Sequence, residues 1–248
     1  MILYFTGKRR NYMDINNMSI ADWRKIFKFI YVNGPKPRES YIAITGYRGT
    51  ASVVEIPEMI GKATVIEIYE KAFKDNKYVK TVTLPQTIIR ISESAFEGCK
   101  NLENIALGNQ VQDIRWDAFK NCTSLKAVTI PPLVTRLNGG TFEGCTNLEH
   151  VELPQNMRRA LGDFAGCHQL ADANGLVIIN GYVCSYLGQE ERVVIPEGTK
   201  KIISLRGSRD PRNQYLAFSG IKELIVPSSV ECIEKDDYEP HKPRIIRM

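Results

Sequence analysis

Residues 94–105 read SAFEGCKNLENI, and the string returns as DAFKNCTSLKAV at 117–128 and TFEGCTNLEHVELP at 141–154. Phe73, Phe96, Phe119 and Phe142 stand 23 residues apart, and Phe164 follows after 22. Six positions past each Phe comes an aliphatic residue: Val79, Leu102, Leu125, Leu148 or Leu170. Val82 and Leu84, Ile105 and Leu107, Val128 and Ile130, Val151 and Leu153 follow at a constant offset. Each pair alternates with its neighbours at period two, the pattern of a short strand with one buried face. Pro85, Pro131 and Pro154 then close the strand, because a residue without a backbone N–H ends a ladder.

A second apolar pair recurs in every unit, Val65 and Ile68, Ile88 and Ile91, Val111 and Ile114, Val134 and Leu137, and leads back to the next Phe. The residues around the Phe read as a single helical turn. Two positions after it stand Gly98, Asn121, Gly144 and Gly166, residue types that tolerate positive φ and turn the chain into the next strand. No unit of this length encloses its own apolar positions, so the units must stack and share one core. The expected architecture is an α/β repeat solenoid of short parallel strands and single helical turns.

These strings resemble the BspA-like leucine-rich repeats, whose units carry an A-F-x-[GN]-C-x-x-L-x-x-[IV] core. The resemblance covers about residues 41 to 235, with the flanking segments YRGTASVVEIPEMIGKATVIEI and NGLVIINGYVCSYLGQEERVVIPEGTKKI as irregular units. It implies a leucine-rich-repeat solenoid and a role in protein interaction or adhesion. Departures are Asn76 where later units have Cys, Gly108 in place of the closing Pro, and a shortened unit near Phe218.

Residues 1–40 lack the repeat. Ser19 followed by Asp22 resembles a helix N-cap, and Ile20, Trp23, Phe27 and Ile30 recur at helical spacing. This predicts an amphipathic helix that caps the hydrophobic end of the solenoid over 41–235. Within the solenoid, regular units occupy about 65–170 and irregular ones 171–217, and a short terminal unit fills 218–235. In the irregular part, Leu176–Ile179, Asn180-Gly181 and Tyr182–Tyr186 read as a hairpin on a two-residue turn. The segment 206–214 reads as a loop, and the polar tail 236–248 as a frayed cap.

Composition excludes several classes. With 43% hydrophobic and 25% charged residues among 248, the chain is neither disordered nor membrane-spanning, since no apolar run approaches the roughly 20 residues a span requires. The formal charge of +5 is scattered, without the basic stripe or reader motif of nucleic-acid binding, and Arg206, Arg209 and Arg212 read as a solvated loop. The apolar stretch Met1 to Phe5 precedes Lys8, Arg9 and Arg10 instead of following them, unlike a secretory signal. The expectation is therefore a cytoplasmic protein, with a secreted or cell-surface location as the alternative.

Catalytic, metal and cofactor motifs are not found. Cys99, Cys122, Cys145 and Cys167 share the repeat spacing and contain no C-x-x-C pair, so they read as a column of buried thiols instead of a zinc site. Cys145 with His150, and Cys167 with His168, have no orienting third group. The expected function is non-catalytic protein binding; a surface adhesin for host or matrix protein or glycan is the alternative. If the paired aliphatics point inward, Thr81, Thr83, Asn104, Ala106, Ala127, Thr129, His150, Glu152, Arg192, Val194, Glu223 and Ile225 fall on the open face of the sheet and are the candidate contacts.

Overall fold

The computed structural model describes residues 2–6, 9–13, 18–33, 40–158, 160, 163–202, 220–233 and 243–248. Residues 206–214, Phe218 and most of the tail lie outside them. The chain winds into a solenoid of about 8 turns with little helix. One side carries short parallel strands that form a front sheet. Val53–Glu55, Thr81–Thr83 and Asn104–Ala106 pair in order, and Ala127–Thr129 pairs with His150–Glu152. The register places Asn104 on Thr81 and His150 on Ala127, so each coil sits one repeat above the last.

A second sheet runs along an adjacent side, where Ala63–Ile68, Arg90–Ile91 and Asp113–Ile114 stack in parallel. The recurring second apolar pair therefore marks a strand. Val65, Ile68, Ile88, Ile91, Val111, Ile114, Val134 and Leu137 are all buried.

Around each Phe the single helical turn takes the form of consecutive tight turns. The N–H groups of Ala95, Glu97 and Cys99 donate to the carbonyls of Ser92, Ser94 and Phe96, at 3.2, 3.2 and 3.1 Å. Alternate N–H groups instead reach the next coil: Phe96 to the Ala118 carbonyl and Gly98 to that of Lys120, both at 2.8 Å. Such alternation requires left-handed residues on both sides of the aromatic. Asp75, Gly98, Asn121, Gly144 and Gly166 supply them after the Phe; Lys71, Ser94, Asp117 and Gly140 supply them before it.

The five Phe rings are buried in one core and stack along the solenoid axis, with centroids 4.9 to 5.7 Å apart from Phe73 to Phe164. The column continues past the repeats. Tyr47 lies 5.4 Å from Phe73, Phe27 lies 5.6 Å from Tyr47, and Trp23 lies 6.2 Å from Phe27. The N-terminal helix spans Ile20–Ile26 and opens with the Ser19 and Asp22 reciprocal cap. It is shorter than its apolar spacing suggested. Phe27 and Ile30 belong to a strand, Phe27–Asn33, paired antiparallel with Ser40–Tyr47, since the aromatic and β-branched run Phe29 to Val32 favours a pleated surface.

Beyond the fifth Phe, Leu176–Ile179 and Tyr182–Tyr186 form the expected hairpin, with Asn180 and Gly181 at φ of 52° and 81°. Stacking then resumes. Arg192–Val194 pairs with Glu223–Val226 at the front, and Tyr182–Tyr186 pairs with Lys201–Ile202 at the side. The tail does not simply fray: Arg244–Arg247 adds a further parallel strand to Glu223–Val226. Buried residues divide at the hairpin into a large core from Trp23 to Cys184 and a smaller one from Leu176 to Val230.

Candidate binding face

Inward and outward positions alternate along each front strand. Val82, Ile105, Val128, Val151, Val193 and Leu224 anchor the strands in the core. The residues flanking them form two outward columns. Thr83, Asn104, Ala106, Ala127, Thr129, His150, Glu152, Arg192 and Val194 are exposed, and Thr81 and Glu223 are half-buried. Strand register brings Thr81 beside Asn104, Thr83 beside Ala106, Ala127 beside His150, Thr129 beside Glu152, and Arg192 beside Glu223. Val53 and Glu55 extend the columns at the N-terminal end, and Arg244 and Ile246 at the other.

Ile225 departs from the expectation. It is 7% exposed, and register sets it between two apolar neighbours, Val194 and Ile246, the second on a strand that was not foreseen.

Polar groups on the face are tied to one another. Thr129 Oγ1 donates to Glu152 Oε2 at 3.0 Å, His150 Nε2 lies 3.6 Å from Glu152 Oε1, and Arg192 Nε lies 3.6 Å from Glu223 Oε2. These exposed pairs orient side chains more than they stabilise the fold.

The strands His150–Glu152 and Arg192–Val194 belong to separate hydrogen-bonded sheets, and beside the second lies a cleft of about 630 Å³, lined in part by Asp172, Asn174, Tyr186, Glu190, Arg192 and Val194. Sequence reasoning reached only the last two. The cleft wall depends on Tyr186, whose hydroxyl accepts the Glu190 N–H at 2.9 Å, while Gly188 leaves room for the phenol ring. Tyr47, Gly49 and Ala51 repeat the arrangement, with the Ala51 N–H donating to the Tyr47 hydroxyl at 3.1 Å. In both places an antiparallel hairpin ends on the Tyr, and a front strand begins six residues later, at Val53 or Arg192. The parallel strings YRGTASVVEIP and YLGQEERVVIP were the available signal. A second groove, of about 640 Å³, lies over the side sheet against Ile30 and Tyr31.

The cysteine and histidine pairs do not assemble. Cys145 is buried and donates its thiol to the Phe119 carbonyl at 3.2 Å, while His150 lies on the exposed face. Cys99, Cys122 and Cys167 make the same contact with Phe73, Phe96 and Phe142, at 3.0, 3.2 and 3.1 Å. Burial pushes the Cys99 thiol up to about 12, and it also raises Cys122, Cys167 and Cys184. Asn76, which replaces the first thiol of the column, instead accepts the N–H groups of Tyr78 and Val79 at 2.9 and 3.0 Å. Among the described residues, no group of three or more His, Cys, Asp or Glu side chains is placed to hold a metal ion. No helix among them is long and apolar enough to cross a membrane.

Residues 66–183 match six copies of the BspA type leucine rich repeat region. No curated protein matches the chain. Among solved structures, the leucine rich repeat protein of T. pallidum is 26% identical, with 85% of this chain and 81% of that one covered and a TM-score of 0.58. The pneumococcal vaccine antigen PcpA is 15% identical over 90% of this chain and 70% of its own, with a TM-score of 0.49. A leucine-rich repeat protein from Bacteroides ovatus is 22% identical over 90% and 78%, with a TM-score of 0.45.

Proposed function

Residues 66–183 are a BspA-type leucine-rich repeat region, and from that premise we propose that the chain is a non-catalytic module that binds a protein partner on the front sheet. The observation that carries this reading is the outward strip itself. Its strands pair with their neighbours within each sheet and its inward residues fill the core, so most of the outward side chains are left to solvent. Thr, Asn, His, Glu and Arg on that strip suit a polar protein surface, and the cleft at Tyr186 gives an otherwise flat face one concave place to seat a projecting side chain.

The candidate contacts are Thr81, Thr83, Asn104, Ala106, Ala127, Thr129, His150, Glu152, Arg192, Val194 and Glu223. Ile225 leaves the set because it is buried. The test is affinity capture with the native protein beside a variant carrying His150→Glu, Glu152→Lys and Arg192→Glu. Retention of the same partners by a folded triple variant would remove the front sheet from consideration. Loss of them, with an unchanged melting temperature, is the expected result.

We propose a cytoplasmic location, in which the buried thiols of Cys99, Cys122, Cys145, Cys167 and Cys184 would stay reduced. Cell fractionation decides between this and an exported adhesin.

A further inference from the structure

The spacing of 23 residues describes the shape of the coils, yet three of their charged columns repeat at twice that distance, while Glu70 with Glu93 and Lys77 with Lys100 keep one sign. The residue after each of the first four Phe residues runs Lys74, Glu97, Lys120, Glu143. The residue before the front strands from Thr81 to His150 runs Lys80, Glu103, Lys126, Glu149. Along the side sheet the series is Glu67, Arg90, Asp113, Arg136. Over these four coils all three columns change sign at each step, giving a period of 23 + 23 = 46 residues. The alternation stops at the fifth coil, where Ala165 follows Phe164 and the sequence has Arg158-Arg159 after Arg136.

Stacking brings the opposite signs together. Lys74 lies 2.8 Å from Glu97, Lys120 lies 3.0 Å from Glu143, and Lys80 lies 2.8 Å from Glu103. Arg90 bridges two coils, 3.7 Å from Glu67 and 3.4 Å from Asp113. The Lys80 ammonium beside Glu103 holds that carboxyl below its usual range, and Lys126 adds to the effect from the other side.

A fourth column alternates in size. Asp75, Gly98, Asn121 and Gly144 all have positive φ. The Asp75 carboxylate fills the space a Cβ would need at Gly98, and the Asn121 carboxamide does the same at Gly144.

We propose that the stacking unit of this array is a pair of coils, whose alternating charge and alternating bulk form a parity code. A coil accepts a neighbour of the opposite type and rejects one of its own. Excising residues 90–112 sets Lys74 against Lys120, Lys80 against Lys126 and Glu67 against Asp113, and it crowds Asp75 onto Asn121. Excising 90–135 instead sets Lys74 against Glu143, Lys80 against Glu149, Glu67 against Arg136 and Asp75 against Gly144, so every column is restored. Phe stacking is kept in both cases, with Phe73 meeting Phe119 or Phe142. The array can then gain or lose coils two at a time, and the strands it offers at the front change in the same steps.

Each excision is made in the full chain and its thermal unfolding followed. Repeat arrays ordinarily lose stability with every coil removed. Under the parity code the chain lacking two coils melts above the chain lacking one, by about 4 °C or more, and high salt narrows the gap. A melting temperature that falls steadily with the number of coils removed overturns the proposal. Folding of the two-coil excision alone supports it.

Should neither excision fold, the full-length chain decides through the exposed column. Lys80→Glu with Lys126→Glu, which makes that column uniformly acidic, is expected to lower the melting temperature. Adding Glu103→Lys and Glu149→Lys, which restores alternation with every sign reversed, is expected to recover it. Failure of that second pair to recover stability refutes the code.

Discussion

The Phe column shows how much one residue type does in a repeat fold. Phe119 is buried between Phe96 and Phe142, with ring centroids 5.3 Å away on either side and planes within 6° of parallel. Phe119→Ala removes two ring contacts and leaves a cavity that coils fixed by cross-coil hydrogen bonds close only in part. It should cost about 3–5 kcal/mol in denaturant unfolding. The thiols set a pH limit. In the native state burial keeps Cys99 protonated up to about 12, whereas the unfolded thiol ionises near 9.0. Above the lower value the unfolded state releases protons that the native state keeps, so stability is complete below pH 9 and declines as pH rises toward 12. Replacing Cys99, Cys122 and Cys167 by Ala should flatten that decline in chemical denaturation curves measured at successive pH values. The Phe and Cys positions were legible because a buried column tolerates few residue types at fixed spacing. Ile225 is not legible as buried, because alternation assigns a side chain to a face without revealing which side chains the adjoining strands set beside it, here Val194 and Ile246.

At the scale of elements, legibility followed length and local chemistry. The 176–186 hairpin was readable because Asn180-Gly181 satisfies a turn that needs two positive φ values. The side-sheet strands Arg90–Ile91 and Asp113–Ile114 were not, since two residues show no alternation. The helix ended early because Trp23 and Phe27 fit a helical spacing as well as they fit a helix followed by a strand. The arrangement shared by Tyr47 and Tyr186 was not legible because it falls outside the regular period. Tyr186→Phe keeps the ring but removes the acceptor of the Glu190 N–H, at a cost of about 1 kcal/mol. The same change should loosen the cleft wall, which faster amide exchange at Glu190 would report. An unchanged exchange rate there would mean that the hydroxyl is not what holds the loop.

Across the whole molecule, the two hydrophobic cores imply unequal cooperativity. The smaller core from Leu176 to Val230 meets the larger at the 176–186 hairpin, and it contains none of the stacked Phe rings. Hydrogen exchange on the intact protein should therefore show Glu223–Val226 opening at lower free energy than Thr81–Thr83, although both are interior strands of their sheets. Equal protection would mean that the cores unfold as one. The outward placement of Thr83, Asn104, Ala106, Ala127, Thr129, His150, Glu152, Arg192 and Val194 was legible in the sequence, whereas the extension of the strip by Val53, Glu55, Arg244 and Ile246 was not. Neither was the cleft beside Arg192–Val194, because the spacing of the repeats carries no record of what an inserted segment folds into.

The hydrogen bonds between parallel strands of both sheets, and alternate ones of the Phe turns, run from coil to coil, along the axis of the stack. Tension applied between the two ends therefore meets them head-on and loads one layer at a time instead of shearing many at once. The protein should extend at low force in a staircase of small, separate yields, like a stack of rings lifted off one by one.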